Sequence, residues 1–398
     1  MFLAAASYFT KRFSSDEWIL AHFQPSIVSV ANFTNLSTMV IFGNLQLKAS
    51  YPKRIISALV INIVMCTLLA LSTTFFLSVS AGVYLGFVLT MVFCTSVATG
   101  LSQNGAFALS SGLGKPAYTQ AIMTGQALAG VLPSVAQIVL VLALSPGPDD
   151  GISEGGSMGP PSGPPAVHPP QESSSAAMMF FLTSTALSAL SLLAFLLFGQ
   201  KHHRLTEYRM VESLENMGES EQTQRKVVGL LTLYKKLRWL CASVFSCFAV
   251  TMFFPVFTTQ ITSNTPVGRL FQPDVFIPLA FFFWNIGDLL GRLATLLPSL
   301  LIHRPKVLFV IALCRISFVP LYLLCNIGGR GAVVPSDAFY LIIVQLGFGL
   351  TNGWLGSSCM MGAGEWVEEG EREATGGFMG LNLVAGLTVG SLLSFAAA

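Results

Sequence analysis

Two opposite charges stand one helical turn apart in 281-FFFWNIGDLLGR-292, Asp288 and Arg292. At spacing i and i+4 they share a helix face and can pair. A lone charge at the centre of a membrane helix costs about 2.5–3.5 kcal/mol on insertion scales, so such residues face a bundle interior or a watery cavity. Pairing lowers that cost. Asn285 precedes Asp288 by three residues, and Phe281 precedes Asn285 by four, on the same stripe. One face thus offers a ring, an amide, a carboxylate and a guanidinium. Two readings stay open: a salt bridge that locks helix packing, or a recognition site on a transport path. The set suits a ligand with a flat ring and several hydroxyls, because amides and ions bond hydroxyls and rings stack on aromatics.

A second polar region is 100-GLSQNGAFALSSGLGKPAYTQAIMTGQALAG-130. Gln103 and Asn104 lie near a helix end; Gln120, Gln126 and Gln137 enter the next apolar run. Glutamine often serves as interhelical glue, the preferred reading for those last three. For Gln103 glue and ligand contact stand even. Phe254-Pro255 breaks an apolar run, where proline removes a backbone hydrogen bond and kinks the helix; a structural kink and a gate or pocket wall both stay open. Arg315 also falls within an apolar run, and a structural partner such as a backbone carbonyl is expected for it. No catalytic set, phosphate-binding glycine loop or metal-ligand spacing occurs, so an enzyme or ATP-driven pump is not expected and no cofactor is implied.

The elements that position these residues follow from composition. The 398 residues are 53% hydrophobic and 10% charged, with mean hydropathy +0.68. Soluble domains carry about 25% charge. The chain is therefore an all-α polytopic membrane protein with the lipid bilayer as its surroundings. A net charge of +2 suggests no nucleic-acid partner. The start, MFLAAASYFTKRF, lacks the basic n-region and long apolar run of a signal peptide.

A membrane helix needs about 20 mostly apolar residues. Ten spans are expected, at roughly 25–46, 55–77, 81–110, 117–144, 177–199, 238–260, 274–299, 306–327, 337–361 and 374–397. Residues 145–176, rich in Pro, Gly and Ser, read as a disordered loop. Residues 200–237 read as a charged, partly helical amphipathic linker. Two bundles, 1–199 and 238–398, flank it. Fifteen lysines and arginines fall on the linker's side, Arg54 counted among its loops, against four (Lys11, Arg12, Arg269, Arg330) opposite. The basic side is then cytoplasmic, and the C-terminus extracellular or luminal. Glycine pairs four apart (82/86, 287/291, 349/353, 376/380, 386/390) suit close helix packing.

Read in chain order, YTQAIMTGQALAG (118–130), FFPVFT (253–258), FFFWNIGDLLGR (281–292), FVPLYLLCN (318–326), TNGWLGSSCM (351–360) and ATGGFMGLNLVAGLTVGSLLSF (374–395) resemble the equilibrative nucleoside transporter family over essentially the whole chain. The resemblance implies a major-facilitator-like, two-bundle architecture of six and five helices. It implies that Asp288 and Arg292 serve ribose hydroxyls and helix integrity, and that Gln103 contacts the base. It places Phe254 and Pro255 beside the pocket, and Phe281, Asn285 and Leu387 at pocket or gate positions. Phe42 and Leu45 match pocket residues of the second helix. Family members end their first helix with Pro-Trp-Asn and a segment similar to Met-Phe-Leu-Thr-Ala. This sequence starts Met1-Phe2-Leu3-Ala4-Ala5, so most of helix one is expected to be missing, through a late-assigned start or a truncated gene.

The function implied is facilitative transport of nucleosides, with nucleobases as a further class, by alternating access in a plasma or vacuolar/lysosomal-type membrane. Two alternatives stand beside it. One is a proton-coupled transporter of another small solute, for which uptake would depend steeply on pH through Asp288. The other is a non-transporting family member.

Overall fold

In a computed structural model the chain is described for residues 6–46, 50–76, 79–144, 174–215, 227–265 and 268–397. The loop expected at 145–176 lies almost wholly outside the described residues, as does 216–226 of the linker.

Among the described residues ten helices are long and apolar enough to cross a membrane, as the hydropathy of the sequence predicts. A short helix α1 (Ala6–Arg12) precedes α2 (Glu17–Asn44), α3 (Tyr51–Phe75), α4 (Ala81–Gly112), α5 (Pro116–Leu144) and α6 (Ser174–Glu215). Then follow α7 (Leu230–Thr251), α8 (Phe253–Thr258), α9 (Pro273–Ala294), α10 (Pro305–Cys314), α11 (Phe318–Leu323), α12 (Gly347–Gly362) and α13 (Arg372–Ala397). Among the described residues the single β feature is an isolated antiparallel bridge, Ile261 to Ile327.

Local chemistry sets the boundaries. Helix α2 starts earlier than its apolar run because Asp16 accepts the Ile19 N–H at 3.0 Å as an N-cap, and Glu17 favours the positive helix start. Gly114 takes φ +70° after α4, a conformation glycine adopts without penalty, and Pro116 opens α5. The span holding Pro255 breaks as expected: α7 stops at Thr251 and α8 resumes at Phe253. Arg315 marks another break, where α10 gives way to a 3-10 turn, Arg315–Ser317. Ahead of α12, Phe339–Leu346 is π-helical, a form that concentrates at functional sites.

The chain forms two compact units that interleave in sequence. The first comprises 1–114, 168–236 and 364–384; the second comprises 115–167, 237–363 and 385–398. In the first, α3 packs on α4 and α6, and α2 on α4. Its core gathers Phe9, Phe13, Phe23, Tyr84 and Phe181. In the second, α9 is central, packed by α12, α5 and the π-helical segment.

Apolar burial does not drive helix association in lipid, so close packing and interhelical hydrogen bonds must hold α9 in place. Glycines allow the approach. A β-carbon at Gly287 or Gly291 of α9 would overlap the carbonyl of Leu346 or Leu350. One at Gly349 or Gly353 of α12 would overlap the carbonyl of Trp284 or Asp288. The pair Gly376/Gly380 meets Phe107, and Gly386/Gly390 meets Phe245 and Ala249. Gly82 and Gly86 are the exception to the packing expectation: among the described residues no neighbouring atom lies within 4 Å of a β-carbon at either.

Candidate functional site

The tight α9–α12 seam delivers Asp288 and Arg292 into the interior of the second unit, 3% and 6% exposed. They pair: Arg292 Nε donates to Asp288 Oδ2 at 2.9 Å. The other carboxylate oxygen, Oδ1, accepts Asn352 Nδ2 of α12 at 2.7 Å. Arg292 Nη1 donates to the Met123 carbonyl of α5 at 2.6 Å and reaches Gln126 Oε1 at 3.4 Å. Gln120 Nε2 donates to the Arg292 carbonyl at 3.3 Å. The pair therefore ties three helices together, and Gln126 joins the charged site rather than serving only as glue. Arg292 Nη2 makes no hydrogen bond among the described residues, which leaves the guanidinium with a further donor edge.

Asn285 and Phe281 lie on the same face of α9. Asn285 Nδ2 donates to Ser134 Oγ at 3.0 Å and to the Phe281 carbonyl at 2.9 Å. Its Oδ1 occupies the space a β-carbon at Gly130 would need. The amide thus clasps α5. Phe254 stacks on Trp284 with ring centroids 4.3 Å apart, and Phe281 meets Phe254 edge-on at 5.1 Å. The Trp284 Nε1 donor is buried and has no partner among the described residues. Pro255 follows Phe254 in α8, half-buried, and Leu387 is half-buried on α13 in the same unit.

The first unit holds the other three expected residues. Gln103 on α4 accepts Asn35 Nδ2 of α2 at 3.5 Å. Phe42 and Leu45 end α2, with Leu45 exposed. Both give their carbonyls to Arg54, which also lies 5.0 Å over the Phe42 ring. Arg54 is buried within α3 and bonds Asn104. It is not a loop charge, as its position beside Lys53 in the sequence suggested.

Sequence reasoning missed several buried polar residues of the second unit. Asn352 gave no sign beyond its place in TNGWLGSSCM. Gln345 Nε2 bonds Thr258 Oγ1 at 2.9 Å and Tyr340 OH at 2.6 Å, and Gln345 Oε1 accepts Tyr322 OH at 3.2 Å. The π-helical register around Gln345 had no local signal. Arg315 meets backbone as expected: its Nη1 donates to the Cys247 carbonyl at 2.7 Å. Among the described residues no cluster of metal-ligating side chains occurs.

This arrangement offers hydrogen bonding and ring stacking in a membrane-embedded interior. Against known proteins, the model of the nucleoside transporter family matches residues 89–155 and 165–398. The chain is 27% identical to nucleoside transporter FUN26 of Saccharomyces cerevisiae over 428 residues, covering 99% of this chain and 80% of that protein. It is 28% identical to equilibrative nucleoside transporter 1 of Homo sapiens over 342 residues, covering 78% and 68%. Among solved structures it resembles FucP, a Major Facilitator Superfamily transporter, with TM-score 0.53 and 16% identity, covering 98% of this chain and 90% of that one. That likeness shows a major-facilitator fold.

Proposed function

We propose, from the premise that this chain belongs to the nucleoside transporter family, that it carries nucleosides, and nucleobases as a further class, across a membrane by facilitated alternating access. It is a multi-pass integral membrane protein and not an enzyme. The observation that carries the reading is the buried Asp288–Arg292 pair, with guanidinium donor capacity left over, in a spanning helix that the family model matches. The curated relatives are themselves named as nucleoside transporters. In this reading Asp288 and Arg292 take the ribose hydroxyls and Gln103 takes the base. Phe254, Pro255, Phe281, Asn285, Leu387, Phe42 and Leu45 shape the path. The bundles 1–199 and 238–398, joined by the 200–237 linker, are the parts that alternate.

The excess of lysine and arginine on the linker side supports a cytoplasmic linker and an extracellular or luminal C-terminus, in a plasma or vacuolar/lysosomal-type membrane. The test is uptake of radiolabelled uridine into proteoliposomes, competed by unlabelled nucleosides and nucleobases. Saturable uptake that equilibrates without an ion gradient is expected. Uptake no faster than in protein-free vesicles would sink the reading.

A further inference from the structure

Asp288 is held on both of its oxygens, and the second hold belongs to a chain of donors that runs through the unit. Arg315, 2% exposed, donates from Nη2 to Thr251 Oγ1 at 3.3 Å. The Thr251 hydroxyl lies 2.7 Å from Asn352 Oδ1 and 2.8 Å from the Cys247 carbonyl. That carbonyl also accepts Arg315 Nη1 and has lone pairs for both donors, so the single hydroxyl proton of Thr251 is shared between it and Asn352 Oδ1. The Asp288 carboxylate only accepts, so the Asn352 amide turns its NH2 toward Asp288 Oδ1, 2.7 Å away, and its Oδ1 toward the Thr251 hydroxyl. With that proton on the Asn352 side, each donor in the series points at the carboxylate. Gly353, the next residue, brings the α12 backbone against the Asp288 carbonyl, which sets the Asn352 backbone beside the charged pair.

We propose that Asn352 is the positioning residue of the ribose-recognising carboxylate, oriented by Thr251 and Arg315. This rests on the reading that Asp288 serves the ribose of a transported nucleoside. Without the amide, Arg292 alone orients Asp288. The carboxylate then turns to take two guanidinium nitrogens side by side, the geometry arginine favours. That turn consumes both the acceptor and the donor edge offered to the sugar. The cost falls on substrate hydroxyls, not on the base.

The experiment measures initial uptake of uridine and 2′,3′-dideoxyuridine by the full chain in proteoliposomes with matched protein content. Asn352→Ala is expected to raise KM for uridine about tenfold, the loss of one hydrogen bond to a charged group. Vmax and the dideoxyuridine KM stay within about twofold, because that substrate lacks the 2′ and 3′ hydroxyls that the carboxylate would bond. Thr251→Val, nearly isosteric, moves uridine KM in the same direction by about threefold, as a relayed rather than direct hydrogen bond would. It also decides the matter if Asn352→Ala fails to reconstitute. Equal KM changes for both substrates, a change in Vmax alone, or no change overturns the positioning role. Wild-type protein that takes up neither substrate overturns the nucleoside reading itself, an outcome distinct from active wild type with unaffected variants.

Discussion

Gly353 of α12 rests against the Asp288 carbonyl of α9, with no room for a β-carbon between them. The contact is backbone to backbone, so no flexible side chain can yield. Gly353→Ala must separate the two helices that hold the charged pair. Overpacking of this kind costs about 1–3 kcal/mol. Thermal unfolding of purified protein in detergent is expected to shift down by several degrees, with uptake reduced. Gly82→Ala and Gly86→Ala, where no neighbouring atom of the described residues stands within 4 Å, serve as controls and leave both unchanged. Equal unfolding temperatures for Gly353→Ala and the controls would remove the seam from the account.

Asp288 and Arg292 depend on each other because both are buried. Removing one partner strands the other, at about 3–5 kcal/mol. Asp288→Ala and Arg292→Ala are each expected to abolish uridine uptake and lower thermal stability. The double variant is expected to be more stable than the sum of the two losses, since neither charge is left alone. Wild-type-like uptake by both single variants at equal surface expression would refute the assigned roles.

The ten spans were legible because apolar runs of membrane length are a local property of the chain, and α9's charged stripe because i, i+4 spacing is local too. The partners were not. Asn352 lies 64 residues from Asp288 along the chain, and nothing near TNGWLGSSCM announces a carboxylate. Arg54 read as a loop charge because it adjoins Lys53, yet α3 begins at Tyr51 and draws it inside. The glycine pairs carried half a message. The spacing gives two open positions on one face, but only a neighbouring backbone makes them a seam, and Gly82/Gly86 has none within reach.

Trp284 holds a buried indole N–H without a partner among the described residues, while its ring stacks on Phe254. Leaving a buried donor unsatisfied costs about 1–3 kcal/mol. Trp284→Phe keeps the stack and removes the donor. Thermal stability of the substrate-free protein is expected to hold or rise. A fall of several degrees would mean that the indole nitrogen has a partner.

Asp337, just before the π-helical segment, clasps the loop that follows α8. Burial pushes its carboxyl up, but more strongly opposed by the Asn264 backbone N–H, the Ser263 hydroxyl, the Asn264 amide and the Thr265 backbone N–H, it sits below the ordinary carboxylate range. The Ser263 bond is 2.6 Å and both Asn264 bonds are 2.9 Å. A carboxyl with a lowered folded-state pKa adds stability above its unfolded value, about 3.9. That stability is lost as pH falls through the folded value. From pH 8 to 5 the clasp therefore holds, and it opens only in stronger acid. Asp337→Asn is expected to lower thermal stability at pH 7 and to narrow its gap from wild type as the pH drops below about 4. Unfolding temperatures measured from pH 3 to 8 check this. A gap that widens with acid would reverse the sign and remove Asp337 as the clasp.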